Sequence, residues 1–433
     1  MQNIILEKIE YSKKDLKMEI YCKQDRAYCR CHHCDGPIST VHEWKERTIS
    51  GPPVGAFCEV VIHLKQLRGH CYFCDDRVRS AKISFVHPHF QNMTMALCEH
   101  AGRLMEEMTC EAVARLLRLN PKTMWDLDQV RMRMMKPLLS LPEHINLTHM
   151  SADEVHFRSL WKKNSVTRPE IKFVTTLVCT AESKILSTAM GRDGKALKKC
   201  LSVLTAPQRL LINFFAVDMH DPFIKVIKHL CKNAEICIDR FHLVQSVNDA
   251  FDTVRKSEFS LAKKANDEFQ MKMLSPHRRF VLVEKEKKLE FKDLRMLDRL
   301  KELNKNILNG MILVEYFHVI LDKKDVVEFR KALTLWYRLV RESGLNAFRK
   351  LAKTIRKYRL NIESYIKSKL TTAVSEGINN KIKVLKRMGY GYTNEDSFQF
   401  KILQRCGFLN SNYINTTNWF WSIPAELAQI PPF

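Results

Sequence analysis

Asp153 lies in Met150-Ser151-Ala152-Asp153-Glu154, and Asp218 follows the apolar run 210–217. Glu376 opens the block Ser375-Glu376-Gly377-Ile378-Asn379-Asn380-Lys381-Ile382-Lys383. Two strand-end carboxylates and one helical glutamate suit a two-metal phosphoryl-transfer site. Hard oxygen ligands hold two Mg²⁺ (or Mn²⁺) ions ~3.5–4 Å apart, and the ions clamp the attacking and leaving oxygens of a phosphodiester. Each acid taken alone reads as an ordinary surface residue, so the weight comes from its surroundings. A second constellation pairs Cys31-His32-His33-Cys34 with Cys71-Tyr72-Phe73-Cys74. Two C-x-x-C knuckles give one structural Zn²⁺ four thiolates in a closed tetrahedral site through Cys31, Cys34, Cys71 and Cys74. Cys29, Cys58, His32, His33 and His70 are possible substitutes.

Elements must position these groups. Gly51-Pro52-Pro53 reads as a turn, and 58–64 alternates as a strand does. From Met93 to Met135 apolar residues recur at helical spacing. Within it, an alanine-bearing helix ends near Asn120, and Pro121 sits where the first turn of the next helix tolerates it. That is the grammar of a helix-turn-helix with 121–131 as recognition helix, placing Lys122, Thr123 and Asp126 nearest to base edges. Beyond it the pattern predicts a short strand ending at Asp153, strands over 171–179 and 184–190, and a helix over 194–204. A buried strand over 210–217, a helix over 222–230 and a strand over 234–239 follow. Three meander strands, then helix–strand–helix–strand, is the order of an RNase H-like core, in which the first and fourth strands are neighbours. Such adjacency would bring Asp153 and Asp218 together.

Between Asp239 and Glu376 the chain is too long for one connection and reads as a helical insertion. Its segment 246–369 holds 29 Lys+Arg and 17 Asp+Glu, a net +12. Much of that is a solvated helix surface, while the surplus suits phosphates. Trp336 and Tyr337 are expected in the insert's core. The expected division is thus a zinc-binding domain over 1–92 and a helix-turn-helix domain over 93–148. An RNase H-like α/β core over 149–245 is interrupted by the insertion over 246–369. The last part of the core and an apolar tail occupy 370–433.

The chain's 433 residues carry a net charge of +23, with 71 Lys+Arg against 48 Asp+Glu. A polyanionic partner follows, nucleic acid first. A membrane-surface protein would concentrate its basic residues in one anchor, and here they are spread. No 18-residue apolar run occurs, and acid follows the short apolar stretch at the start, so neither a membrane span nor a signal peptide is expected. An intracellular, cytoplasmic setting follows, with the 14 cysteines as thiols or metal ligands.

With these blocks in this order, the chain resembles bacterial insertion-sequence transposases of the ISL-three type, members of the DDE class. The resemblance spans the C-x-x-C pairs, the helix-turn-helix, Asp153-Glu154, Val217-Asp218-Met219 and Ile238-Asp239-Arg240-Phe241-His242. It is most specific over Glu376-Gly377-Ile378-Asn379-Asn380-Lys381 through Lys386-Arg387 and Gly389-Tyr390-Gly391-Tyr392. It implies a transposase that binds terminal inverted repeats, cleaves DNA and transfers strands, with Asp153, Asp218 and Glu376 as catalytic carboxylates. Asp239 and His242 match a D-x-x-H motif whose implied role is to orient DNA or a metal-bound group. Lys381, Lys383, Lys386 and Arg387 would hold the scissile strand by its phosphates. The implied partners are double-stranded DNA, as element ends and target, and a second copy in a homodimer on paired ends; the DNA-bound form would be nucleoid-associated. The chain departs from the family pattern at Cys179-Thr180-Ala181, at an expanded 161–170 loop, and just before Glu376, where an Asn-Gly-like turn is replaced by Ala373-Val374-Ser375. Two rival readings are a non-catalytic zinc-containing DNA-binding regulator derived from a transposase, and an RNase H-like nuclease without strand transfer.

Overall fold

The structure, a computed structural model, describes residues 4–160, 170–276, 291–368, 373–389 and 392–414. The expected loop up to residue 169, Tyr390-Gly391 and the apolar tail from Trp419 lie outside the described residues. The chain folds as two compact units, one of Met1–Leu141 with Val384–Phe433, the other of Pro142–Lys383.

The first unit opens with a five-stranded sheet. Strands β1 (Ile4–Ser12), β2 (Lys17–Gln24), β4 (Glu59–Cys71) and β3 (Thr40–Gly51) lie in that order, and β5 (Arg77–Ser80) pairs with β4. β2 and β4 run parallel, while the other pairs are antiparallel. Alternation gives the sheet two buried faces: Leu64 of β4 and Ile49 of β3 pack beside Cys22 on one, while Leu67, three residues on, packs with Cys31 and Cys71 on the other.

Three helices follow, α1 (Met95–Glu107), α2 (Cys110–Leu117) and α3 (Pro121–Met135), and each begins at a capping side chain. Thr94, Thr109 and Asn120 accept the backbone N–H of Leu97, Ala112 and Lys122, which satisfies donors that no helix can pair internally. Arg118 takes the left-handed conformation that ends α2, and Leu119 N–H then bonds Ala114 O at 2.8 Å. The turn leaves Asn120 and Pro121 placed to start α3.

A buried polar network holds the helix Glu395–Cys406 and the segment after it to these three helices. Lys401 Nζ lies 2.6 Å from Asp128, which is fully buried, and donates to Met105 O at 2.9 Å. Arg131 pairs with Glu106 at 2.7 Å, and the same carboxylate accepts Ser411 N–H and Oγ–H at 3.0 and 2.8 Å. Gly102 is required here, because a Cβ would collide with the Arg131 stem. The segment 370–433, expected to hold the last part of the core and an apolar tail, divides between the two units. Its part up to Lys383 folds with the second unit, and its part from Val384 folds with the first. Charge pairs 273 positions apart (401 − 128) leave no periodic trace in a sequence.

The second unit is built on a sheet ordered β10-β9-β6-β7-β8. Its strands are β6 (His149–Leu160), β7 (Glu170–Cys179), β8 (Lys184–Met190), β9 (Phe214–Val217) and β10 (Glu235–Ile238). β6, β7 and β8 form an antiparallel meander, while β9 and β10 add in parallel on the other side of β6. Helices α4 (Gly194–Leu201), α5 (Ala206–Leu210) and α6 (Asp221–Leu230) make the crossovers. Two strand expectations change. The apolar run 210–217 yields a strand only over its last four residues, because the Thr205–Gln208 capping box and Pro207 start α5, leaving Leu210 and Leu211 exposed. Asp153 lies inside a 12-residue strand rather than at its end, since pairing with β7 carries β6 on to Leu160.

Between β10 and α14 (Ala373–Met388) the described residues hold α7 (Arg240–Lys264), α8 (Glu268–Met273), α9 (Phe291–Leu303), α10 (Lys305–Leu321), α11 (Val326–Ser343), α12 (Asn346–Lys357) and α13 (Arg359–Ser368). Trp336 is fully buried and donates Nε1–H to Leu313 O at 3.0 Å, and Tyr337 packs half-buried beside it.

Replacing Lys401 by Met should strand the Asp128 carboxylate and destabilise the first unit by about 3–5 kcal/mol. Lys401→Met with Asp128→Leu should recover most of that loss. Urea unfolding followed by tryptophan fluorescence measures both, and a single variant as stable as the parent would remove the pair from the core's support.

Candidate active site and thiolate centre

Parallel pairing sets the carboxylates level. β6 pairs with β9 as His149↔Phe214, Met150↔Phe215 and Ser151↔Ala216, a constant offset of 65 (214 − 149). The same offset carries Asp153 onto Asp218. β9 pairs with β10 at an offset of 21 (235 − 214), through Val217↔Ile238, which carries Asp218 onto Asp239. Asp239 N–H extends that ladder to Val217 O at 3.1 Å. Three aspartates thus stand level, Asp218 and Asp239 just past the ends of β9 and β10 and Asp153 within β6, just past its pairing with β9.

Local bonds orient each one. Asp153 accepts the Glu154 backbone N–H on one oxygen, at 2.7 Å, and the Asn379 side-chain amide on the other. Burial raises its pKa, while these donors and nearby His242 pull the other way. Asp218 accepts the Met219 N–H. Asp239 is buried and caps α7 by accepting Phe241 N–H at 2.8 Å. His242, in the first turn of α7, stands 3.7 Å from Asp218 through Nδ1 and 3.9 Å from Asp239 through Nε2. The D-x-x-H spacing thus lets a capped helix hold an imidazole between two carboxylates.

Glu376 is exposed in the first turn of α14, and that helix is tied to β6 on both sides of it. Ser375 Oγ meets Ser151 Oγ at 2.6 Å in a buried contact, and Asn379 reaches Asp153. Within the Ala373-Val374-Ser375 departure, Ser375 is thus a buried docking contact. Further along α14, Lys381, Lys383 and Arg387 are exposed and Lys386 is half-buried. Burial lowers the Lys386 pKa.

Sequence reasoning passed over Glu154, Asn379 and His220 as site residues. Burial first, then the charges of Asp153 and Asp218, push Glu154 up to about 7. His220 Nδ1 lies 3.6 Å from Glu154, and burial and Arg192 lower its pKa. Asn379 was within reach of sequence reasoning, being three residues past Glu376 on one helix face. Asp153, Glu154, Asp218 and Asp239 offer only hard oxygen donors, the class that Mg²⁺ and Mn²⁺ prefer, and among the described residues no three of them close to within 4.8 Å as the cysteine thiols do.

The thiols are drawn tighter. Ligand atoms of Cys31, Cys34, Cys71 and Cys74 all lie within 4.8 Å of one another, the one such group of three or more found among the described residues. Cys31 and Cys74 sulfurs are 3.9 Å apart, and those of Cys34 and Cys71 are 3.4 Å apart. Zn–S bonds of about 2.3 Å at tetrahedral angles need sulfurs about 3.8 Å apart, so the group fits zinc. Burial opposes ionisation of Cys31, but the N–H groups of Cys34 and His33 and neighbouring thiols outweigh it and bring it down to about 7. Burial and the same neighbours push Cys71 up to about 12.

On α3, Lys122 is exposed while Thr123 and Asp126 are half-buried. The expected reading surface 121–131 is shorter than its helix, because Asp128, Gln129 and Arg131 are buried in the internal network.

The model for DDE transposases of the ISL3 type matches residues 163–402, more than half of the chain. This protein belongs to the ISL3 transposase family. The matched span includes Asp218, Asp239, His242 and Glu376 and begins after Asp153. The chain is also similar to the transposase for insertion sequence element IS1001 of Bordetella parapertussis, at 25% identity over 386 residues, 89% of this chain and 90% of that protein. The transposase for IS1557 of Mycobacterium tuberculosis is 21% identical over 265 residues, 57% of each. No helix among the described residues of this ISL3 family member is long and apolar enough to cross a membrane.

Freshly purified, reduced protein should carry about one Zn²⁺ per chain, and Cys71→Ser should lose it and loosen the N-terminal sheet. Elemental analysis with hydrogen exchange across residues 20–80 reads both effects. Metal-free protein with full protection there would rule the site out.

Proposed function

We propose that this chain is an active insertion-sequence transposase that binds the terminal inverted repeats of its element as double-stranded DNA, cleaves there, and joins the freed 3′-hydroxyl to target DNA. The observation that carries the reading is the levelling of Asp153 with Asp218, with the helix of Glu376 tied to the strand of Asp153. The sheet order, three meander strands followed by two parallel ones, supports an RNase H-like core. On that reading, the helices between Asp239 and Glu376 are an insertion into it.

Two Mg²⁺ or Mn²⁺ ions, when bound, supply the positive charge that activates the attacking oxygen and stabilises the leaving one. Asp153, Asp218 and, from α14, Glu376 would hold these ions. Asn379 holds Asp153 at one rotamer, so the carboxylate is oriented before substrate arrives. His242 stands beside Asp218 and Asp239 and orients DNA or a metal-bound group. Lys381, Lys383, Lys386 and Arg387 hold the scissile strand by its phosphates. Zinc takes no part in the chemistry; its four thiolates pin the N-terminal sheet.

The turn between α2 and α3 supports a helix-turn-helix, with Lys122, Thr123 and Asp126 nearest to the bases and the rest of α3 as its anchor. Cutting both ends of one element asks for two active sites, which favours a homodimer on paired ends.

Asp153→Asn, Asp218→Asn and Glu376→Gln should each abolish Mg²⁺-dependent cutting of element ends while end binding survives. Mapping cut strands on labelled ends, beside a joining assay, tests this and separates transposition from plain nuclease action. Any variant that cuts at the parental rate takes its residue out of the site. Lys122→Ala should narrow the affinity gap between element ends and random DNA by about 1–3 kcal/mol. Equal loss on both DNAs would transfer sequence reading away from α3.

A further inference from the structure

Among the helices between β10 and α14, α12 is unlike its neighbours. Its twelve residues, Asn346–Lys357, contain five cations and no acid. Phe348, Leu351 and Ile355 are buried, and α12 packs on α7. Arg349, Lys350, Lys353, Arg356 and Lys357 recur at i, i+1, i+4, i+7 and i+8, which puts all five on the opposite face, and all five are exposed.

Like charges at such spacing repel and destabilise a helix. Elsewhere this chain offsets them with acids one turn away, as in Arg103–Glu99 and Arg115–Glu111, or from a neighbouring helix, as in Arg330–Glu363. On α12, among the described residues, only Lys357 is offset in an ion pair, by Asp221. Arg356 stacks over Tyr337 at 4.9 Å, and Arg349 donates to Arg341 O at 3.2 Å. Among the described residues, neither Lys350 nor Lys353 has an acid within 4.0 Å in an ion pair. Two cations held in place by the fold, and two left open between them, form a row of positive charge suited to an external polyanion.

Its position says which one. Tyr358, the residue after α12, donates its hydroxyl to Asp221 at 2.6 Å and lies 3.4 Å from Met219 O. Met219 in turn donates its N–H to Asp218. The row therefore starts one short loop from a carboxylate of the candidate active site.

We propose that this face of α12 is a sequence-independent rail for the phosphate backbone of the duplex being cut at the carboxylates. This rests on the transposase reading above and adds to it a surface apart from the α14 cations. A rail of this kind binds by releasing counterions from the phosphates, so its contribution is read in the salt dependence.

The test uses the full-length protein carrying Lys350→Gln with Lys353→Gln, against Lys198→Gln with Lys199→Gln, two exposed lysines of α4. Binding to an element-end duplex and to a random duplex is measured from 50 to 300 mM KCl, with circular dichroism to establish equal folding. The α12 pair should weaken both duplexes by the same factor and make the slope of log K against log salt shallower by about 1.8, at 0.9 per lost phosphate contact. The α4 pair should leave the slope unchanged. A parental slope in the α12 pair, or an equal change in both pairs, overturns the proposal. So does a loss confined to vesicles of phosphatidylglycerol and phosphatidylcholine, which would make α12 a membrane face. Cutting of element ends is scored in the same preparations. Parental protein that cuts while the α12 pair keeps its slope sinks the rail alone; a shifted slope in protein that never cuts sinks the transposase reading and leaves a DNA-binding face.

Discussion

The register of β6 against β9 is the constraint on which the rest of the second unit depends. A parallel pair has a fixed offset, and here that offset, continued two residues past Ser151↔Ala216, sets Asp153 level with Asp218. A slip of one residue would turn one of the two carboxylates to the opposite face of the sheet. The register is held by burial on both sides. Met150, Phe215 and Val217 are buried, as are Leu177 and Val178 on β7, so a slip would expose apolar side chains along several strands together. The alignment of these acids is thus a by-product of core packing, and that makes it robust.

Helix ends do the remaining positioning. Asp239 caps α7, and the cap holds His242 one turn away, between two acids. On α14, Ser375 and Asn379 flank Glu376 and fasten its helix to β6. Neither device costs the fold much, since a cap has to be supplied and a buried serine has to be paired. The burial and neighbouring carboxylates that lift Glu154 to about 7 come from the same geometry.

The first unit solves a different problem. Its helices bury Asp128, Arg131, Glu106 and Lys401, each matched to a partner. Buried ions of this sort seldom add net stability, but removing one partner is severe. The network commits the C-terminal half of α3 to structure and leaves its first turns as the exposed part.

Much of this was legible in the residues themselves. The C-x-x-C pairs announced a thiol cluster because four sulfurs at knuckle spacing have one efficient arrangement. An alanine-bearing helix ending near Asn120, with Pro121 just after it, marked the α2–α3 turn, and the run 171–179 and the stretch 184–190 read as strands. These are local signals, written within a few residues. The offsets that level Asp153, Asp218 and Asp239, the reach of Asn379 to Asp153 and the clasp of Lys401 on Asp128 were decided by tertiary structure alone. Each joins groups from distant parts of the chain, or sets strand pairing that local propensity leaves open. The apolar run 210–217 shows the limit: its hydrophobicity promised a strand, and a capping box just upstream spent part of it on a helix instead.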